Sequence, residues 1–90
     1  MTVRFELTTR LAELAGFGDQ TLDLDGSPTL GDALDELKTR FVRHDDLAPG
    51  GRLHPSILVV VDGEARVNGE RALPLAGGET IRLMLPVAGG

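Results

Sequence analysis

Ninety residues with a formal net charge of -5 and a pI near 4.8 describe one small acidic domain. Acidity, together with only 3% aromatic residues, excludes nucleic acid as a partner, because that role asks for basic patches and stacking rings, and it suits a basic protein partner instead. Cysteine is absent, which excludes disulfides, thiolate metal sites and thiol nucleophiles together.

No apolar run approaches the length that spans a bilayer, and Met1–Leu7 alternates where a signal peptide would be continuously apolar. The expectation is a cytoplasmic protein with no membrane partner. His44 and His54 stand ten residues apart, no cluster of carboxylates gives them a recognisable metal-ligand spacing, and they are expected on loops or the surface, with no metal bound. The cations are eight arginines and a single lysine, Lys38.

In chain order, Val3, Phe5 and Leu7 alternate with Arg4, Glu6 and Thr8, the period of a half-buried strand. Residues 11–16 predict a short helical turn closed by Gly16. Residues 21–25 alternate again and predict a second strand, antiparallel to the first. After the break at Gly26-Ser27-Pro28, Thr29 is placed to cap a helix, with Asp32 as an acidic variant of the capping box. Leu30, Ala33, Leu34, Leu37 and Phe41 put one apolar stripe along a helix over 30–42, with Asp32, Asp35, Glu36, Lys38 and Arg40 toward water. Residues 45–51 read as a polar loop rich in Pro and Gly.

Ile57–Val61 is a run of β-formers, apolar on both faces, and is expected as a central strand. Asp62-Gly63 is a tight-turn signal, followed by a return strand over 64–67 and a second turn at Asn68-Gly69. A short apolar stretch, 72–75, precedes the turn 76–79. In the final strand, 80–85, Ile81, Leu83 and Leu85 should face inward and Arg82 and Met84 outward. One amphipathic helix must lie on one face of the sheet. The fold class is therefore α+β, a β-grasp in which a mixed sheet packs on one main helix, occupying residues 1–85.

Residues 86–90, Pro86-Val87-Ala88-Gly89-Gly90, form an expected flexible C-terminal tail with a reach of roughly 15 Å at about 3.3 Å per residue. The two glycines carry no Cβ, so the tip is slim enough for a narrow channel. Pro86 stiffens the start of the arm and ends the ladder, having no N–H. Arg82 and Met84 flank this tail and are candidate partner-docking residues, Met being an adaptable contact.

The ββαββ order ending in Leu85-Pro86-Val87-Ala88-Gly89-Gly90 resembles the ubiquitin-like sulfur carriers: the molybdopterin synthase small subunit (MoaD), the thiamine-pathway carrier ThiS and the cysteine-synthesis carrier CysO. Residues 11–16, 29–34, 59–64 and 75–79 resemble internal segments of that family. Two features depart from the molybdopterin members: Leu85 stands before a single Pro86, and the loop 48–55 is long, more like the cysteine-synthesis carrier.

The resemblance implies a mechanism. A ubiquitin-activating-like adenylyltransferase and sulfurtransferase uses ATP to adenylate the Gly90 carboxylate, and a sulfur donor displaces AMP to leave a thiocarboxylate. A sulfur-accepting synthase then consumes the sulfur for molybdopterin, cysteine or a related metabolite. Gly89, Ala88, Val87 and Pro86 give the tip its access to those active sites. The chain itself supplies no catalytic residue, binds no cofactor and is a carrier rather than an enzyme. A zinc-dependent deconjugating protease is a further partner that the resemblance allows. Two other readings share these residues: a ubiquitin-like modifier conjugated through Gly90 to target lysines, and a non-catalytic β-grasp interaction subunit.

Overall fold

The computed structural model describes residues 1–66 and 70–85. The expected turn at Asn68-Gly69, the end of the return strand at Val67, and the tail from Pro86 to Gly90 lie outside the described residues. Among those described, five strands form one sheet: β1 (Thr2–Leu7), β2 (Asp19–Asp23), β3 (Leu58–Val61), β4 (Glu64–Arg66) and β5 (Thr80–Met84). The helices are α1 (Thr9–Ala15), α2 (Leu30–Lys38) and the single turn α3 (His44–Leu47), with 3-10 turns at Pro49–Gly51 and Glu70–Ala72.

The spatial order is β2-β1-β5-β3-β4. β1 and β5 run parallel and every other neighbouring pair is antiparallel. The sheet is mixed, as expected, and the last strand of the chain sits in its middle.

Alternation along the strands turns Val3, Phe5, Leu7, Leu22, Val59, Val61, Ile81 and Leu83 to one face, where they meet Leu30, Ala33, Leu34 and Leu37 of α2. Burying a side chain of this kind contributes about 1.5–3 kcal/mol. The helix starts where Thr29 caps it. The Thr29 hydroxyl accepts from the Asp32 amide at 3.2 Å, and the Asp32 carboxylate accepts from the Thr29 amide at 2.9 Å. The α1 helix closes on Gly16 at φ 92°, a backbone conformation that disfavours a Cβ.

Three expectations change. Helix α2 stops at Lys38 rather than reaching residue 42. The Thr39 hydroxyl donates to the Glu36 carbonyl at 2.7 Å, the chain turns, and the Val42 amide donates to the Ala15 carbonyl at 2.9 Å. Phe41 is buried all the same, because that turn stacks its ring on Phe17 with centroids 6.0 Å apart.

The stretch read as a loop from 45 contains α3 and a 3-10 turn. Asp45 and Asp46 favour the positive end of the short helix, and Leu47 is buried beneath it. His44 therefore lies in a helical turn, while His54 is in a loop where its Nδ1 accepts from the Ser56 amide at 3.0 Å.

Lys38, expected toward water, is 8% exposed. Its ammonium lies 2.8 Å from Asp35 and also donates to the Gly51 carbonyl. As expected, β3 lies inside the sheet, between β5 and β4; Leu58 on its open face is 51% exposed and Val60 half-buried.

Candidate functional site

The candidate site is the end of β5 and the uncovered face of the sheet beside it. β5 delivers the chain to Leu85, whose amide donates to the Thr8 hydroxyl at 3.4 Å, while the Thr8 amide donates to the Leu83 carbonyl at 3.1 Å. The point from which residues 86–90 depart is thus tied to the end of β1. Leu85 is half-buried against the core rather than fully inside it, since β5 ends one residue earlier.

Register decides which side chains share the uncovered face. Leu58 is paired with Met84, and Val60 with Arg82 and, beyond Val60, with Ala65 of β4. Leu58, Val60, Ala65 and Met84 therefore form a small apolar patch beside the exit of the tail. Arg82 is exposed and Met84 half-buried on this face.

Next to the patch runs a row of alternating charge. The Arg82 guanidinium lies 3.1 Å from Glu6, Glu6 lies 3.6 Å from Arg4, and Arg4 donates to Asp19 at 2.7 Å. The Asp19 contact, and then Glu6, hold the Arg4 guanidinium still further in its charged form. Such exposed pairs add little to stability, so their value lies in fixing side-chain positions on an open surface.

Sequence reasoning singled out Met84 and Arg82 but missed Leu58, Val60 and Ala65. The signal was the long apolar run itself, which was read for its place in the sheet and not for the face it leaves open. Among the described residues, the buried side chains of α1 and α2 belong to the core on the other face, so Leu58 stays exposed and Val60 half-buried. Gly90, Gly89, Ala88, Val87 and Pro86 lie outside the described residues.

Among the described residues no group of three or more His, Cys, Asp or Glu could hold a metal ion, and no helix is long and apolar enough to cross a membrane.

A five-stranded mixed sheet in this order, grasping one main helix and carrying the chain end on its central strand, defines a ubiquitin-like β-grasp protein. The model of the ThiS family matches residues 5–90, and the chain belongs to that family. Small archaeal modifier protein 1 of Haloferax volcanii is 37% identical over 90 residues, spanning 98% of this chain and all of the relative. A crystal structure of that protein superposes with a TM-score of 0.83 at 33% identity, covering both chains completely. Urm1 of Trypanosoma brucei has a TM-score of 0.71 at 28% identity over 99% of this chain and 95% of its own. The BexX/CysO complex of Amycolatopsis orientalis contains a chain with a TM-score of 0.67 at 27% identity, covering 98% of this chain and 99% of that one. The family match agrees with the resemblance to the ubiquitin-like sulfur carriers, and the relative at 37% identity bears the name of a modifier.

Proposed function

We propose that the chain is a sulfur carrier whose Gly90 carboxylate is adenylated by an ATP-dependent activating enzyme and converted to a thiocarboxylate that a biosynthetic enzyme consumes. The observation that carries this reading is the ThiS-family match, which runs to Gly90 itself. Chemistry agrees with it. A carboxylate is a poor electrophile until activated, and a thiocarboxylate moves sulfur without a thiol in a chain that has no cysteine. The chain contributes no acid, base or nucleophile. ATP belongs to the activating partner, and no cofactor is held.

Partner docking falls to the uncovered sheet face. Leu58, Val60 and Met84 supply an apolar centre, and Arg82 with its neighbours supplies a charged rim, the layout of a protein interface. The BexX/CysO complex supports a partner enzyme for this family, and this chain's counterpart would be an activating or sulfur-accepting enzyme.

A second reading, a modifier joined through Gly90 to target lysines, is favoured by the relative at 37% identity, which bears the name of a modifier. Both uses begin with the same activation. The deciding experiment is the intact mass of the protein from its own cells, with fragmentation of the tail. A gain equal to sulfur replacing one oxygen at Gly90 establishes the carrier. Amide-linked conjugates without that gain establish the modifier. An unmodified Gly90 that also resists ATP, an activating enzyme and sulfide overturns both.

A further inference from the structure

The chain carries one lysine, and the fold uses it as a strut. Lys38 lies at the C-terminal end of α2, 8% exposed. Its ammonium faces Asp35 at 2.8 Å, one turn back on the same helix, and donates to the Gly51 carbonyl across from it. Asp35 in turn accepts from Arg71 at 2.7 Å, and Arg71 also reaches the Gly31 carbonyl at 3.4 Å. The cluster ties α2 to the Pro49–Gly51 turn on one side and to the Glu70–Ala72 turn on the other. Lys38 forms part of the wall of a cleft of about 810 Å³ between α2 and the loop 49–55, but its donors are turned to Asp35 and Gly51.

From this arrangement we infer that the fold withholds Lys38 as an amine acceptor, so that the folded chain acts as a donor and is not extended through its one side-chain amine. This rests on activation of Gly90 as proposed above. Amide formation at an activated Gly90 needs an uncharged amine. Its nitrogen attacks the acyl carbon, the bond to the adenylate oxygen breaks, AMP leaves, and the amine gives up a proton to solvent. An ammonium donating to a carboxylate and a carbonyl cannot attack until it leaves both and sheds a proton. The eight arginines do not substitute, since a guanidinium stays charged and non-nucleophilic near neutral pH. With no cysteine either, neither thiol nor guanidinium offers a route by which one activated chain consumes another.

Acetylation with acetic anhydride, read by peptide mass mapping, tests the inference without any activation of Gly90. In the folded protein Lys38 should label at least about tenfold more slowly than in the same chain unfolded in urea, because labelling needs local opening. Asp35→Ala should raise the folded-state rate severalfold while the circular dichroism stays native. Asp35→Asn serves the same purpose if the alanine variant does not fold. Equal Lys38 labelling in folded and unfolded chain overturns the inference. So does a Lys38-linked conjugate between two chains in a reaction where AMP release shows that Gly90 has been activated.

Discussion

At the residue scale two carboxylates do structural work whose pH dependence has a definite sign. Burial pushes Glu79 up, but the amides of Ala76, of Glu79 itself and of Gly77 outweigh it and hold the group below its ordinary value. The two neighbouring amides donate at 2.6 and 2.7 Å and lock the turn that feeds β5. Asp35 is lowered chiefly by its hydrogen bond from Arg71 and then by that from Lys38, against a smaller opposing effect of burial. A carboxylate lowered on folding stabilises the protein when ionised. That stability is therefore fully present at neutral pH and is lost as pH falls below the ordinary carboxylate range of about 4. Urea midpoints should fall between neutral pH and about pH 3, and the fall should be smaller in Glu79→Gln and Asp35→Asn. An unchanged slope in both variants would remove these two groups from the account.

Gly31 is decided at the same scale. A Cβ there would stand 2.9 Å from the Arg71 Cβ and 3.0 Å from the Arg71 carbonyl oxygen. Helix propensity alone favours alanine by about 1 kcal/mol, yet the close approach of α2 to the Glu70–Ala72 turn should reverse the sign. Gly31→Ala is expected to destabilise by about 1–3 kcal/mol in a urea titration. A gain in stability would mean that the turn gives way easily.

At the element scale, the capping box makes the start of α2 a local decision. Thr29 also sits in an isolated bridge to Pro74, so the cap and the approach to β5 meet at one residue. Thr29→Ala should reduce stability by about 1 kcal/mol, measured by denaturant midpoint, with the sheet intact. The Asp62-Gly63 turn is equally local. Both residues have positive φ, 49° and 85°, as a two-residue hairpin turn of type I′ requires. Asp62 adds a non-local anchor: its carboxylate accepts from the Thr80 amide at 2.9 Å, and its own amide donates to the Thr80 carbonyl at 2.9 Å.

At the scale of the whole molecule, placing the last strand in the middle of the sheet couples the tail to the most buried part of the protein. Ile81 and Leu83 are fully buried, and their neighbour Met84 stands beside Leu58 on the opposite, open face. One strand thus anchors the core with alternate residues and offers a docking surface with the others. Leu58→Asp should leave thermal stability nearly unchanged, because half of the side chain is already in water, while weakening the complex with an activating enzyme at least about tenfold in Kd. Unaltered binding would move the interface off this face. Gly90→Val should block adenylation measured by AMP release and leave the melting temperature untouched.

Much of this was legible along the chain. Alternation at Val3–Leu7 and Thr80–Met84, the Thr29–Asp32 cap and the Asp62-Gly63 turn are governed by neighbours a few residues away, so local sequence specifies them. The β-grasp class followed, because one amphipathic helix among strands has a single face to cover. What the tertiary structure alone decided involves partners distant in sequence. Helix α2 ends at Lys38 because the Val42 segment is drawn to α1. Lys38 is buried because Gly51 lies across from it, beside a carboxylate that Arg71 also engages. Leu58 is left exposed and Val60 half-buried because, among the described residues, the helices pack on the other face of the sheet. An apolar run records that a strand can be buried on both faces, and only the arrangement of the other elements determines whether it is.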